Sequence, residues 1–428
     1  MILESALSLV LVASLLEPPS TIGDSITAPM WQPSFPSPAY GGYLSLDSDR
    51  ELRLWSDLSI SSNSLPVRFA YEAWRRGYLD DMKQSASDGL KPSNRIGAHF
   101  VSGVDFHMKF KKDWAWSVGV KQSRMIGIRF PKDMFDLVFF GNAKFENMTA
   151  EFAPSDLFNI TYNQFLLGVS RQYRSGEHRF VFGAEVSATA GAGFQQISVT
   201  RGTLFTATDG EYVDLDVAFS SRFSDTARGG SFVVNGGGLG LNLMLAHYSP
   251  FEMTVAIQDI GFIGWSKNSL SLSADTTVHF EGFDANQFFE QPDSFFIGIE
   301  DSLRQIIGLD ESMGTTRSGL PGRMTISVGH HVFGARGHVA GGVSFPISSL
   351  MPIRPLVFAK GTVLFRSRFS AGCTLSYGGY GDFNVGLEGG AVIKQRLAIV
   401  IGAPSVPGLI LPGSLTSSGL WAAASVSL

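Results

Sequence analysis

The chain has 428 residues and a formal net charge of −5, a length that suits two or three soluble domains or one barrel with long loops. A pI near 5.9 leaves no basic face to displace counterions, which argues against nucleic acid. The single cysteine, Cys373, excludes a disulfide framework and a cysteine-based metal cluster.

Glycine (48) and phenylalanine (34) are abundant, and only 17% of residues are charged. No apolar run reaches the roughly 18 to 20 residues that a membrane helix needs. Hydrophobicity without long runs is what alternating lipid-facing and lumen-facing positions produce. The first apolar run, Ala6 to Leu16, has the length of a signal-peptide core, although Glu4 precedes it and no Lys or Arg does. Residues 1–24 are therefore expected to be an export signal with a weak positive region, and 25–428 the barrel. No cysteine directly follows the run, so a lipoprotein anchor is not expected.

Period-two alternation begins clearly at Trp114. Trp114, Trp116, Val118 and Val120 lie on one face, and Ala115, Ser117, Gly119 and Lys121 on the other. Pro131 to Phe140 breaks the rhythm and reads as a short amphipathic helix. Alternation resumes with Phe180, Phe182, Ala184 and Val186 against Val181, Gly183 and Glu185, and again with Leu239, Leu241, Leu243 and Leu245 against Gly240, Asn242, Met244 and Ala246. Between these, Asp209, Glu211, Asp214 and Asp216 form an acidic group beside a loop. It is read as solvated, with weak calcium binding the sharper alternative. Gly236 to Gly240 mimics a phosphate loop, but a strand follows where a helix is required.

A long loop over about residues 279–321 is expected to contain a second helix. There Phe295, Phe296, Ile299, Leu303, Ile306 and Ile307 recur at helical spacing, as packing over the barrel mouth or as a filler for a partner's groove. His330 and His331 are adjacent on a strand and point to opposite faces. Only one of them can approach His338 across the hairpin, so no metal is expected. No nucleophile elbow or Ser–His pattern marks catalysis, and no cofactor is implied.

Farther on, Phe369, Ala371, Cys373, Leu375 and Tyr377 oppose Ser370, Gly372, Thr374 and Ser376. The last strand carries Leu420, Ala422, Ala424, Val426 and Leu428 on its outer row. Segments of this kind number roughly 14 to 16, and the fold expected is an all-β, antiparallel outer-membrane β-barrel of about 14 strands with short amphipathic helices in its loops. Short basic turns (Phe333 to Arg336, Arg366 to Arg368, Lys394 to Arg396) alternate with long loops (Pro346 to Arg354, Gly402 to Ser418). With the chain end in the periplasm, every short turn is expected there and every long loop outside.

Several segments resemble a family of Bacteroidota outer-membrane barrels without an established activity, related in style to fatty-acid-transporter-like barrels. They are Gln32-Pro33-Ser34-Phe35, Pro131-Lys132-Asp133-Met134-Phe135 with Gly141-Asn142, Gln258 to Trp265 (QDIGFIGW), Phe280 to Asp284, and Leu320-Pro321. Asp259 to Trp265 is the most specific. The resemblance implies a bacterial outer-membrane location. Its cousins include channels for hydrophobic compounds and accessory subunits of type IX secretion and barrel assembly.

The leading expectation is a non-enzymatic accessory subunit of an outer-membrane complex, in contact with outer-membrane lipids. Apolar outer-loop residues Val406, Leu409, Ile410 and Leu411, with Leu350, Met351 and Ile353, would dock a surface lipoprotein or another barrel. The alternative is a fatty-acid-transporter-like channel for hydrophobic small molecules.

Overall fold

The computed structural model describes residues 49–76, 80–111, 113–176, 178–225, 233–248, 251–281, 308–332, 337–348, 350–365, 368–394, 396–406 and 416–428. Fourteen strands close into an antiparallel barrel. Numbered along the chain, the wall begins with β1 (Arg50–Ser62), β2 (Ser93–Lys111) and β3 (Trp114–Pro131). It continues with β5 (Ser155–Ser175), β6 (His178–Thr206), β8 (Gly236–Tyr248), β9 (Glu252–Trp265), β13 (Arg323–Val332) and β14 (Gly337–Pro346). Then follow β15 (Arg354–Phe365), β16 (Phe369–Gly379), β17 (Phe383–Ile393), β18 (Leu397–Ala403) and β19 (Ser417–Ser427). The shorter strands β4 (Met148–Glu151), β7 (Val213–Phe223), β10 (Ser269–Phe280), β11 (Asp310–Gly314) and β12 (Arg317–Gly319) continue the sheet beyond one end of the wall. β19 pairs with β1 from Glu51–Ser427 to Ser61–Ser417, so the ring leaves no edge open.

The alternation read in the sequence sorts side chains between the two faces of this wall. Trp116, Val118 and Val120 stand beside Val169, Leu167 and Phe165 of the neighbouring strand, and Val120 and Phe165 are each 54% exposed. Their neighbours Ser117, Lys121 and Gln164 are buried inside. Phe182, Val186, Leu239, Val357, Leu375, Tyr377 and Leu420 extend the same exposed apolar belt, with Cys373 on it. Water does not tolerate so continuous a belt, and lipid requires it. Among the described residues no helix is long and apolar enough to cross a membrane.

Short connections join β2 to β3, β5 to β6, β13 to β14, β15 to β16 and β17 to β18 at one end of the barrel. The opposite end carries the helices and longer loops. One short connection departs from this rule. The β16–β17 turn lies at the loop end, where the antiparallel alternation of strands puts it, and it carries the buried Tyr380. A Cβ on Gly127 would fall 2.0 Å from the Tyr380 hydroxyl, so the ring needs glycine opposite it.

Among the described residues, three α-helices sit at the loop end: α1 (Val67–Arg76), α2 (Asp80–Asp88) and α3 (Lys132–Phe140). Only α3 is legible in the sequence, as the break at Pro131 to Phe140. Phe69 of α1 meets Phe135 and Phe139 of α3 with ring centroids 5.5 and 5.6 Å apart, and Leu65 and Phe130 complete the cluster. Beneath it the buried Asp136 carboxylate accepts a hydrogen bond from Ser87 Oγ at 2.5 Å and pairs with Lys144 Nζ at 2.7 Å. The second expected helix, with Phe295, Phe296, Ile299, Leu303, Ile306 and Ile307, lies outside the described residues, as does the expected signal segment.

Past the wall, the far half of β6 pairs with β7, β7 with β10, and β10 with β11. The acidic group falls here, and two of its members have cationic partners. Arg201 Nε reaches both Asp216 oxygens at 2.9 and 3.0 Å, and His279 Nδ1 lies 2.5 Å from Asp214 Oδ1. The hydrogen bond to Asp214, reinforced by Glu281, raises the His279 pKa above its ordinary value. A raised folded-state value gives stabilisation that is complete below the unfolded pKa and is lost as pH rises through the folded one. The projecting sheet is therefore expected to resist limited proteolysis better near pH 6 than near pH 8. His279→Gln should erase that difference; a difference of the same size in the variant would assign the pH effect elsewhere.

Candidate functional site in the barrel lumen

The segment Gln258 to Trp265 organises the interior. The register between β8 and β9 shifts between Leu241 and Leu243, and Asp259 adopts φ 54°, a left-handed conformation that aspartate tolerates better than bulkier residues. A bulge of this kind re-aims side chains, and here it turns the Asp259 carboxylate inward. Its backbone N–H donates to Asn242 Oδ1 at 2.7 Å. The carboxylate receives Lys121 Nζ at 2.8 and 3.0 Å and Gln164 Nε2 at 3.2 Å. Gln164 also donates to Ser187 Oγ at 3.0 Å, and Asn242 Nδ2 to Glu185 Oε1 at 2.7 Å. One residue earlier, Gln258 Oε1 accepts from Arg323 Nε at 3.0 Å.

Toward the loops the same strand supplies apolar side chains. Ile263 and Trp265 pack with Val101, Phe158, Ile160, Tyr162, Phe194 and Leu320 in one buried cluster. Trp265 stacks on Phe194 at 5.5 Å, with its Nε1–H donating to Ser318 Oγ at 2.9 Å, so the indole is both packed and satisfied. The β14–β15 connection closes this cluster from above, with Leu350 in it and Met351 against it.

Further charged pairs line the wall. Lys360 Nζ lies 2.7 Å from Glu388 Oε1, both nearly buried, and His99 Nε2 lies 3.3 Å from the fully buried Asp57. At the turn end, His331 and His338 share Glu252 at 2.8 and 2.9 Å, while His330 points away and packs on Phe251. The pair that the hairpin allows is thus formed. Among the described residues no group of three or more metal-ligating side chains is arranged so that it could hold a metal ion. The glycine run lies in β8, and a Cβ on Gly238 would sit 1.8 Å from the Phe262 carbonyl oxygen, so close strand approach accounts for it.

The expected docking residues are dispersed. Leu350 lies in the lumen cluster and Met351 packs against it, because a loop beside an apolar interior buries such side chains there. Ile353 and Val406 are half-buried, and Leu409, Ile410 and Leu411 lie outside the described residues. Lys121, Glu185 and Asn242 stand in the sequence on the polar face of alternating strands, whereas the sequence reading misses Gln164. Their convergence is not legible, since Lys121 and Asp259 are 138 residues apart.

Residues 57–398 match a protein family described as being of unknown function, DUF5723. The chain belongs to DUF5723. No curated protein matches this DUF5723 barrel. Among solved structures it is similar to the Pseudomonas putida toluene transporter TodX, at 10% identity over 89% of each chain with a TM-score of 0.42. It is also similar to the Ralstonia pickettii toluene transporter TbuX (9% identity, 90% of each chain, TM-score 0.42). A Pseudomonas aeruginosa FadL homologue is similar at 9% identity over 89% of this chain and 90% of that one, TM-score 0.42. The lumen of this DUF5723 member has two tiers: hydrogen-bonded charges around Asp259, and aromatic and aliphatic side chains between them and the loops.

Proposed function

We propose that this barrel is a passive channel for small hydrophobic molecules across a bacterial outer membrane. One observation carries the reading: a cluster of aromatic and aliphatic side chains fills the lumen on the loop side, within a wall whose outer face already satisfies lipid. A pore for water-soluble solutes gains nothing from inward Phe158, Phe194, Ile263 and Trp265. An apolar solute gains roughly 25 cal/mol for each Å² it buries against them. Leu350 and Met351 cap the cluster, so their displacement admits the solute, and the charged tier around Asp259 forms the floor.

Cells carrying the barrel are expected to take up the apolar dye N-phenyl-1-naphthylamine faster than cells without it. Ile263→Glu should abolish the gain, because a charge without a partner in an apolar cluster repels such a solute. Replacing both Leu350 and Met351 with Ser should raise the rate. Equal uptake with and without the barrel, at matched amounts of folded protein, would rule the channel out.

A further inference from the structure

A cavity of about 400 Å³ opens at the loop end of the barrel, between the ends of β2, β3, β5 and β6 and the β14–β15 connection. Arg95, Arg129 and Arg354 all line it, with Asp156 as the one carboxylate among its lining residues. Three guanidinium charges against one carboxylate leave a surplus of two positive charges. Arg129 is the arginine already committed: its Nε donates to Asp156 Oδ2 at 2.7 Å, and Ser198 Oγ holds the other carboxylate oxygen at 2.9 Å.

Arg95 is the informative residue. It is 4% exposed, and its Nε and Nη2 are buried without a hydrogen-bond partner. The nearest carboxylate, Asp382, lies 3.8 Å from Nη2 and is held by Lys91. The backbone around Arg95 is fixed, since its N–H donates to Asn63 Oδ1 at 2.7 Å and its carbonyl accepts from Asn63 N–H at 3.2 Å. Arg129 and Arg354 lie within electrostatic range of it as like charges. A buried guanidinium with unmade hydrogen bonds, held among other arginines, is costly without an anion to share.

We infer that this cavity is a binding site for a phosphate dianion, gripped by Arg95 and Arg354 with Arg129 at its side. The guanidinium fork matches tetrahedral oxyanions bidentately, and a charge of minus two balances the surplus that a single carboxylate would leave half unmet. Two sources share this chemistry: a free phosphate or soluble phosphate ester, and the phosphate of a lipid headgroup. The cavity shares Leu350 and Met351 with the cap of the apolar cluster, but phosphate binding requires no transport, so this site and the channel reading fail separately.

The test is calorimetric titration of the full chain in a non-ionic, phosphate-free detergent, with folding confirmed by faster gel mobility before heating. Inorganic phosphate or dihexanoyl phosphatidic acid is expected to bind saturably. Binding of both marks a free phosphate, and binding of the phosphatidic acid alone marks a lipid headgroup. Arg354→Gln and Arg95→Gln should each weaken binding roughly tenfold or more, whereas Arg124→Gln, on the outward face, should leave it unchanged. If Arg95→Gln does not fold, the exposed Arg354 decides alone. Acetate binding as tightly as phosphate, wild-type affinity in Arg354→Gln, or no saturation by either phosphate probe would each overturn the site.

Discussion

Lys121→Met is expected to cost the barrel about 3–5 kcal/mol, because it leaves the Asp259 carboxylate buried without its cation. Lys121 and Asp259 are 8% and 4% exposed; Gln164 gives the carboxylate only a neutral hydrogen bond, and Asn242 Oδ1 accepts from the Asp259 backbone N–H instead of touching the carboxylate. The expected readout is a lower temperature for loss of the fast-running folded band on detergent gels. Adding Asp259→Asn to the same chain should recover much of the loss, since the amide is neutral and no longer needs a counter-charge. A double variant as unstable as Lys121→Met alone would show that the ammonium stem packs against something more important than Asp259.

Trp265→Ala should cost a similar amount, about 3–5 kcal/mol, for a different reason. The indole is 2% exposed and stacked on Phe194, so its removal leaves a void in the apolar tier and strips Ser318 Oγ of its donor. Trp265→Phe should recover part of the packing energy but not the hydrogen bond. A thermal midpoint in the alanine variant within error of wild type would place Trp265 outside any packed cluster. Under the channel reading, the void should also speed uptake of the apolar dye, which separates a gate from a merely structural plug.

The wall was legible in the sequence because a strand's two faces alternate at the shortest possible period, so Val120 outside and Lys121 inside are visible from neighbouring letters. The segment from Asp259 to Trp265 was legible as a motif, and the bulge gives its meaning: Asp259 serves the charged tier, Ile263 and Trp265 the apolar one. What joins Asp259 to Lys121, or His99 to Asp57, was not legible, since register around a closed ring is set by every strand together. Loop hydrophobicity was ambiguous for a related reason. The letters of Leu350 and Met351 state that they avoid water but not in which direction, and the fold turns them toward the lumen cluster. The Tyr380 turn is short like the turns at the other end, and strand parity places it among the longer loops, where Tyr380 packs against Gly97 and Gly127.

The seam between β1 and β19 sets a demand on kinetics. Glu51 must find Ser427, and Leu428 N–H donates to the Arg50 carbonyl at 3.0 Å, so the last bonds of the ring join residues almost a full chain apart. Closing so long a loop is entropically expensive and slow. Until it happens, both seam strands present bare edges and the whole apolar belt lacks its lipid. An open sheet of the same strands would leave both seam edges free to pair with another chain, an exposure that closure at β1 and β19 removes.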